Sequence, residues 1–231
     1  ETHGRPKTEA QLRGLEIMPR KQIAYRGQSF EEMDTDAILE RSPTVVLVDE
    51  LAHTNVPGSP RPKRIDDVSV LRDAGIDVIT TVNVQHIESL GDVVEQITGV
   101  VQRETVPDSV VRGADPAGRL GGAGTGGADQ IEVVDLAPQS LRDRLSAGFV
   151  YPAERIDAAL SNYFRLGNLT ALRELALLWL AEEVDSALNT YRTEHGIEGT
   201  WHARERVVVA LTGGAEGDTL IRRGARIAAR S

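Results

Sequence analysis

The chain has 231 residues, which is enough for one large domain or for one domain with an appendage. It contains no cysteine, which excludes a disulfide framework and thiolate metal sites and fits a reducing compartment. A formal net charge of −9 argues against broad nucleic-acid binding, and no apolar run approaches the roughly 20 residues that cross a bilayer.

Short β-type runs alternate with helical stretches up to about residue 150. Gln22–Arg26 predicts a strand. Ser29 resembles an N-cap, and Glu32 three positions later completes a capping box that predicts a helix through Leu39. Thr44–Val48 is rich in β-branched residues, a pattern typical of a strand that is buried on both faces of a parallel sheet.

The same alternation continues toward the middle of the chain. It comprises a helix over Ile65–Asp73 that ends before Gly75, a strand over Ile76–Val84, a helix over Ile87–Thr98, a strand over Ile131–Leu136 and a helix over Pro138–Leu145. Because strands separated by helices indicate βαβ units, the sequence predicts an α/β fold with a doubly wound, mostly parallel sheet.

Glycine and alanine dominate the sequence from Gly113 to Gln130. Gly122, Gly124 and Gly127 formally match G-x-G-x-x-G, but a dinucleotide-binding loop must follow a strand and open a helix. Here a predicted strand comes after the glycines instead. The segment is therefore interpreted as a flexible loop.

The pattern becomes helical after residue 150. Ala153–Phe164 and Asn168–Glu194 predict two helices, with Asn168 as the N-cap of the second. Arg206–Thr212 then predicts a strand and Thr219–Arg230 a helix. One strand and one helix cannot bury a core, so these last elements are interpreted as the beginning of a second domain.

The strand over Thr44–Val48 runs directly into Asp49 and Glu50. P-loop NTPases present a carboxylate to a Mg²⁺-bound nucleotide in this way, because ligands bind outside the carboxyl ends of parallel strands. In this interpretation Asp49 reaches Mg²⁺ through water and Glu50 orients the attacking water. Strands often end in acidic residues, so the pattern alone does not decide.

A second polar cluster follows the next predicted strand. Its side chains at Thr81, Asn83, Gln85 and His86 are suited to read a γ-phosphate or to position water at the same sheet edge. Helix capping and loop hydrogen bonds explain the cluster equally well.

The loop after Glu50 contains half of a zinc-protease motif, because His53 follows Glu50 at the required spacing. Asp49 occupies the position of the other histidine, so a zinc site is rejected. His53, Thr54 and Asn55 are instead predicted to face a nucleotide or a neighbouring domain. The same loop carries positive charge suited to phosphate at Arg61, Lys63 and Arg64.

The phosphate-binding loop G-x-x-x-x-G-K-[ST] does not occur in these 231 residues. Either the nucleotide interpretation is wrong, or the strand and loop that bind the phosphates lie upstream of Glu1.

Long, specific runs of residues occur along the chain. They are Glu1–Arg5, Val48–Asn55 with Pro57–Ser59, Asp73–Val78, Thr80–His86, Asp92–Val100, Glu104–Ser109 and Gly167–Leu175. From residue 1 to about residue 190 these runs resemble the N-terminal region of the KdpD family of potassium-responsive sensor histidine kinases. The stretch Arg206–Arg230 resembles the first strand and helix of the universal-stress-protein-like domain of that family.

The resemblance implies a domain organisation. It assigns residues 1–150 to a P-loop NTPase-like sensor domain with a glycine-rich insertion at 113–130, residues 151–200 to a helical extension, and residues 201–231 to the truncated start of the stress-protein-like domain. It also places the Walker B acid on Asp49 and the Walker A loop just before Glu1.

For the whole protein, the resemblance implies a membrane kinase at the cytoplasmic face of the bacterial inner membrane that senses potassium or osmotic state. Its cofactor is ATP with Mg²⁺, and its partners are the other domains of the same kinase, a response regulator and, in some members, a cyclic dinucleotide at the stress-like domain. This chain lacks the kinase core. A nucleotide-independent interaction module and a free-standing P-loop ATPase are the alternatives, and the absent Walker A loop argues against the ATPase.

Overall fold

The computed structural model describes Thr2, residues 5–112, 127–151 and 153–197, Gly217 and Leu220. The predicted strand Arg206–Thr212, the predicted helix Thr219–Arg230 apart from Leu220, and most of the glycine-rich stretch lie outside these residues. The chain divides into two compact units, residues 1–186 and 187–231.

The described residues form a mixed α/β structure with two small sheets. One is an antiparallel hairpin of β1 (Lys21–Tyr25) and β2 (Gln28–Glu32), and the other is a parallel pair of β3 (Val45–Val48) and β4 (Asp77–Thr80). The helices are α1 (Pro6–Gln11), α2 (Thr35–Arg41), α3 (Arg64–Asp73), α4 (Gly91–Thr98), α5 (Asp108–Val111), α6 (Pro138–Ser146), α7 (Ala153–Ser161) and α8 (Leu166–Glu194), with short 3₁₀ turns at Val84–His86 and Glu88–Leu90.

The hairpin replaces the helix that the sequence predicted after Ser29. Arg26 and Gly27 both have positive φ, at 50° and 78°, which is what a tight two-residue hairpin turn requires. Ser29 therefore lies in β2. Helix α2 begins later, where the Asp34 side chain accepts a hydrogen bond from the Ala37 amide at 3.2 Å.

β3 and β4 confirm that these two strands pair in parallel, but the doubly wound sheet of the prediction is not seen among the described residues, and the pair is covered on one face only. Val48 is buried on the inner face, whereas Val45 is 46%, Leu47 60% and Ile79 60% exposed on the outer face. The prediction that Thr44–Val48 is buried on both faces is therefore wrong for the described part of the chain. No residue described by the structure packs closely enough to cover the outer face.

Two predicted strands need correction. The strand predicted over Ile76–Val84 ends at Thr80, because the chain turns into a 3₁₀ turn from Val84. The strand predicted over Ile131–Leu136 is not formed, because these residues have no regular secondary structure, and Val134 is 95% exposed. The segment has the apolar–polar alternation of a strand, but it pairs with no strand among the described residues.

The core of the first unit is aliphatic and includes one residue of the long helix. Leu71 and Val106 are fully buried. Trp179 of α8 packs in the same cluster, which ties that helix to the α/β part of the unit. Asn168 was predicted to cap this helix, but the helix begins at Leu166 and Asn168 lies within its first turn. None of the helices in the described ranges combines the length and hydropathy of a membrane span.

Candidate functional site at the ends of the parallel strands

Asp49 and Thr81 meet at one edge of the parallel sheet, because each directly follows a strand of the pair. The Thr81 hydroxyl donates a hydrogen bond to Asp49 Oδ1. The Glu50 amide donates to Asp49 Oδ1 at 3.0 Å and to Thr81 Oγ1 at 3.1 Å, and the Leu51 amide donates to the Thr81 carbonyl at 2.9 Å. The two strand ends are therefore joined through the carboxylate.

The Asp49 carboxylate is tuned toward its ionised form. Partial burial raises its pKa, the hydrogen bond from the Thr81 hydroxyl is the largest cause that lowers it, and the balance lies below the ordinary value. A charged, half-buried carboxylate at the carboxyl end of a parallel strand is suited to hold a cation or a cation-bound water.

Glu50 has a backbone conformation that non-glycine residues rarely adopt. Its φ is +56°, in the left-handed region, which costs roughly 1 kcal/mol or more for a residue with a Cβ. Such strained positions cluster at functional sites, where the surrounding structure holds them. The strain falls directly beside Asp49 and marks this strand end as the strongest candidate site.

A buried ion pair contacts the backbone at the strand end. Arg64 and Glu32 are only 3% and 4% exposed, and an Arg64 nitrogen lies 3.6 Å from a Glu32 oxygen. Arg64 Nη1 also donates to the Asp49 carbonyl at 2.9 Å. The positive charge of Arg64 therefore positions the backbone of Asp49, although the sequence pointed to Arg64 as a phosphate ligand.

His53 faces the same buried carboxylate. Its Nε2 lies 3.1 Å from a Glu32 oxygen and donates to it, because a carboxylate only accepts. The Val56 amide donates to the other Glu32 oxygen at 2.7 Å. His53 thus contacts the interior of the unit.

Asn55 and Arg61 are joined by a second buried carboxylate, that of Asp67. Asn55 Nδ2 donates to Asp67 at 2.6 Å and Arg61 Nη1 donates to it at 2.7 Å. The Thr35 hydroxyl completes the set at 2.8 Å. These contacts fix the loop between β3 and α3, so Asn55 stabilises the loop from inside.

Thr54 and His86 converge on Glu104. The Thr54 amide donates to a Glu104 carboxylate oxygen at 2.8 Å. His86 Nδ1 donates to the Glu104 carbonyl at 2.7 Å, which leaves Nε2 as the acceptor nitrogen of the ring. Lys63 Nζ donates to the Thr105 carbonyl at 3.1 Å. The loops after β3 and β4 are therefore bridged by the segment around Glu104.

Gln85 contacts the residue that precedes α8 by three positions, Tyr163, whose hydroxyl donates to Gln85 Oε1. Burial raises the pKa of Tyr163 to about 12, so the hydroxyl remains a donor throughout the physiological range. Asn83 is exposed at the start of the 3₁₀ turn and its side chain does not cap it.

The predicted site residues therefore divide into two groups. Asp49, Glu50 and Thr81 converge at the strand ends, with Asn83 exposed close by in sequence. The others form hydrogen bonds that hold loops together: His53, Thr54, Asn55, Gln85 and His86. The sequence did not predict that their partners are Glu32, Asp67, Glu104 and Tyr163, since no local pattern relates these residues to the site.

Asp49 brings a carboxylate to the strand ends. Among the described residues no group of three or more His, Asp or Glu side chains is arranged to hold a metal. Mg²⁺ keeps several waters and takes one or two carboxylates together with phosphate oxygens, which one carboxylate such as Asp49 suits.

Comparison with known proteins decides the family. Residues 1–119 and 123–184 match the KdpD family, described as the osmosensitive K⁺ channel His kinase sensor domain. The chain belongs to this family. The three residues between the two matched ranges fall within the glycine-rich stretch.

Similarity to individual family members covers the whole chain. It is 59% identical to the sensor protein KdpD of Mycobacterium tuberculosis over 231 residues, all of this chain and 25% of the relative. It is 46% identical to the sensor protein KdpD of Escherichia coli over 230 residues, 24% of that protein, and 43% identical to a putative sensor protein KdpD of Synechocystis over 57% of its length. The chain thus spans about a quarter of the first two relatives.

Proposed function

We propose that this chain is part of the sensory region of a two-component sensor histidine kinase that controls the potassium uptake response. Membership of the KdpD sensor-domain family carries the proposal. The whole protein then sits at the cytoplasmic face of the bacterial cell membrane and phosphorylates a cognate response regulator, while the other domains of the kinase are the direct partners of this segment. A cyclic dinucleotide is a further ligand for the stress-protein-like region at 201–231, which lies largely outside the described residues.

Nucleotide binding at the strand ends is the second part of the proposal. Asp49 binds Mg²⁺ through water, Glu50 orients the attacking water, and Thr81 with Asn83 faces the γ-phosphate of ATP. Support comes from the hydrogen bonds that join Asp49 to Thr81 and from the strained backbone of Glu50. The phosphate-binding loop is supplied by residues outside this chain.

The sheet geometry supports a larger P-loop NTPase-like fold. β3 and β4 are parallel, and the outer residues Val45, Leu47 and Ile79 expose apolar side chains that a doubly wound sheet covers with helices. We propose that β3 and β4 are two strands of such a sheet. The kinase core lies elsewhere in the protein, so this segment modulates kinase and phosphatase activity and does not catalyse phosphorylation of histidine.

Mg²⁺-dependent ATP binding by the full-length protein tests the site. Asp49→Asn removes the charge but can still accept hydrogen bonds from Thr81 and Glu50, so we expect ATP affinity to fall tenfold or more with little change in melting temperature. Asp77→Asn is the matched control, because Asp77 is an exposed carboxylate at the opposite end of the same strand pair. Unchanged ATP affinity with a lowered melting temperature in Asp49→Asn would end the nucleotide proposal.

A nucleotide-independent interaction module is the second candidate, favoured by one observation. The outer face of β3 and β4 is apolar and exposed, as a surface that packs against another domain is. In that case Leu47→Asp disrupts signalling by the full-length kinase while Asp49→Asn leaves it unchanged.

A further inference from the structure

We propose that helix α8 is the output element of the strand-end site and that the Gln85–Tyr163 hydrogen bond couples the two. The proposal deepens the proposed function and rests on it for the identity of the ligand. It concerns how a change at Asp49 and Thr81 reaches α8. The first compact unit ends at Ser186, within this helix.

The segment after β4 is short and its far end is held. Three residues separate Thr81 from Gln85, and the last of them begins the 3₁₀ turn Val84–His86. His86 is fixed on both sides, since its Nδ1 donates to the Glu104 carbonyl at 2.7 Å and its own carbonyl accepts from the Val106 amide at 2.7 Å. A shift of Thr81 therefore has only three residues in which to be absorbed before it reaches Gln85.

Tyr163 connects this segment to the start of α8. Its half-buried hydroxyl donates to Gln85 Oε1, and its ring lies against that of Phe164 with centroids 5.5 Å apart. The turn that carries Tyr163 is anchored by Arg142, which donates to the carbonyls of Leu160, at 3.3 Å, and Phe164. The hydrogen bond thus acts on a well-held turn immediately before the helix.

A second attachment joins the same segment to the middle of α8. The Ser89 hydroxyl donates to Asp108 Oδ1 at 2.6 Å, and Arg112 lies one helical turn after Asp108. Arg112 Nε stands 2.8 Å from a Glu183 oxygen as an ion pair, and its guanidinium lies over the Trp179 ring, 5.6 Å from the centroid. Residues that follow β4 therefore contact both the turn before α8, through Tyr163, and α8 itself, through Trp179 and Glu183.

A ligand at the strand ends competes with the contacts that define the present arrangement. Asp49 Oδ1 accepts from both the Thr81 hydroxyl and the Glu50 amide. A Mg²⁺-bound water that donates to Oδ1 would compete with both donors, and loss of the Glu50 hydrogen bond would free the left-handed backbone of Glu50 to change. On this proposal Thr81 takes a second arrangement when the ligand is bound, and a ligand that prefers that arrangement shifts the population toward it.

Hydrogen exchange of the 231-residue chain without ligand tests the coupling. Thr81→Val removes the hydroxyl that joins the strand ends, and Tyr163→Phe removes the hydroxyl that reaches Gln85. We expect each variant to speed exchange of the amides in residues 166–180 about fivefold, and the double variant to add nothing further. Tyr25→Phe is the control, because its hydroxyl makes no hydrogen bond to any described residue, and it leaves these rates unchanged.

Three outcomes overturn the coupling: no effect of Thr81→Val on α8, simple multiplication of the two effects in the double variant, or an equal rise in the β1–β2 hairpin that indicates general destabilisation. A second measurement uses the full-length protein with Mg²⁺ and ATP. Bound ATP that leaves exchange of α8 unchanged also overturns the proposal. Absence of ATP binding together with non-additive exchange supports the coupling and removes only the nucleotide from the proposed function.

Discussion

Arg64 and Glu32 form an ion pair in the interior of the first unit, with a nitrogen–oxygen distance of 3.6 Å and exposed fractions of 3% and 4%. Two charged side chains lose most of their hydration at this depth and depend on each other and on their hydrogen bonds. The pair lies between the hairpin and the backbone of Asp49, so it links the fold to the candidate site.

Arg64→Met should lower the free energy of unfolding by more than the loss of a surface charge does. Glu32 would remain buried without its cation, a change that costs about 3–5 kcal/mol in comparable pairs. Urea unfolding measures the difference. Arg20→Met is the control, because Arg20 pairs with Glu31 at 2.9 Å on the surface and such pairs contribute about 1 kcal/mol or less. Equal effects of the two variants would contradict the buried-pair account.

Asp67→Asn should loosen the loop between β3 and α3. The carboxylate accepts hydrogen bonds from Thr35, Asn55 and Arg61. In asparagine an NH₂ group replaces one of the two accepting oxygens, so a donor would face the donors of these residues. We expect a loss of about 2–3 kcal/mol in the free energy of unfolding. Asp73→Asn, an exposed change at the other end of α3, should be neutral or slightly stabilising, because a carboxylate is unfavourable at a helix C-terminus.

The sequence predicted those parts of the fold whose signals are local. The sequence predicted the end of helix α3 from Gly75, and the structure gives this glycine a φ of 79°. The proximity of Asp49 and Thr81 followed from the rule that the carboxyl ends of parallel strands lie at one edge of the sheet. The helix after Ser29 was wrong because the Arg26–Gly27 turn pairs that segment with β1. A capping-box pattern carries no information about a competing hairpin.

The contacts that surround the site were not predictable for a different reason. Thr54 meets Glu104 across 50 residues of sequence, and Tyr163 meets Gln85 across 78. No local pattern in the sequence relates one member of either pair to the other, so only tertiary packing brings them together. The sequence therefore identified the polar residues after β4 and offered loop hydrogen bonds as one of two interpretations, but it did not identify their partners.

The ionisation of Asp108 should make the free energy of unfolding decrease at acid pH. Burial raises its pKa, but hydrogen bonds from Ser89 and the charge of Arg112 lower it, and the folded value lies below the ordinary one. A depressed carboxyl pKa contributes stability that is present above the unfolded pKa and is lost as pH falls through the folded pKa, which means below about pH 4. Urea midpoints measured from pH 6 to pH 3 should therefore fall less steeply for Asp108→Asn than for the parent chain.

Glu183 should contribute to the pH dependence of stability with the opposite sign. Burial is the main cause that raises its pKa, so the folded protein binds this proton more tightly than the unfolded chain does. Its contribution to stability becomes more favourable as pH falls through the raised folded pKa toward the unfolded value. Glu183→Gln should consequently make the acid loss begin at higher pH, and a shift toward lower pH would show that the ion pair with Arg112 dominates instead.

The two glycines that flank α4 allow a matched test of backbone strain. Gly99 ends the helix with a φ of 73°, whereas Gly91 begins it with a φ of −53°, and a Cβ at either position meets no atom within 4 Å. Since neither substitution creates a clash, the sign of each effect depends on φ alone. Gly99→Ala should destabilise by about 1–2 kcal/mol, because alanine is strained in the left-handed region. Gly91→Ala should stabilise by about 0.4–1 kcal/mol, because it reduces the freedom of the unfolded chain. Thermal unfolding of both variants decides, and a destabilising Gly91→Ala would mean that the start of α4 packs against something other than the described residues.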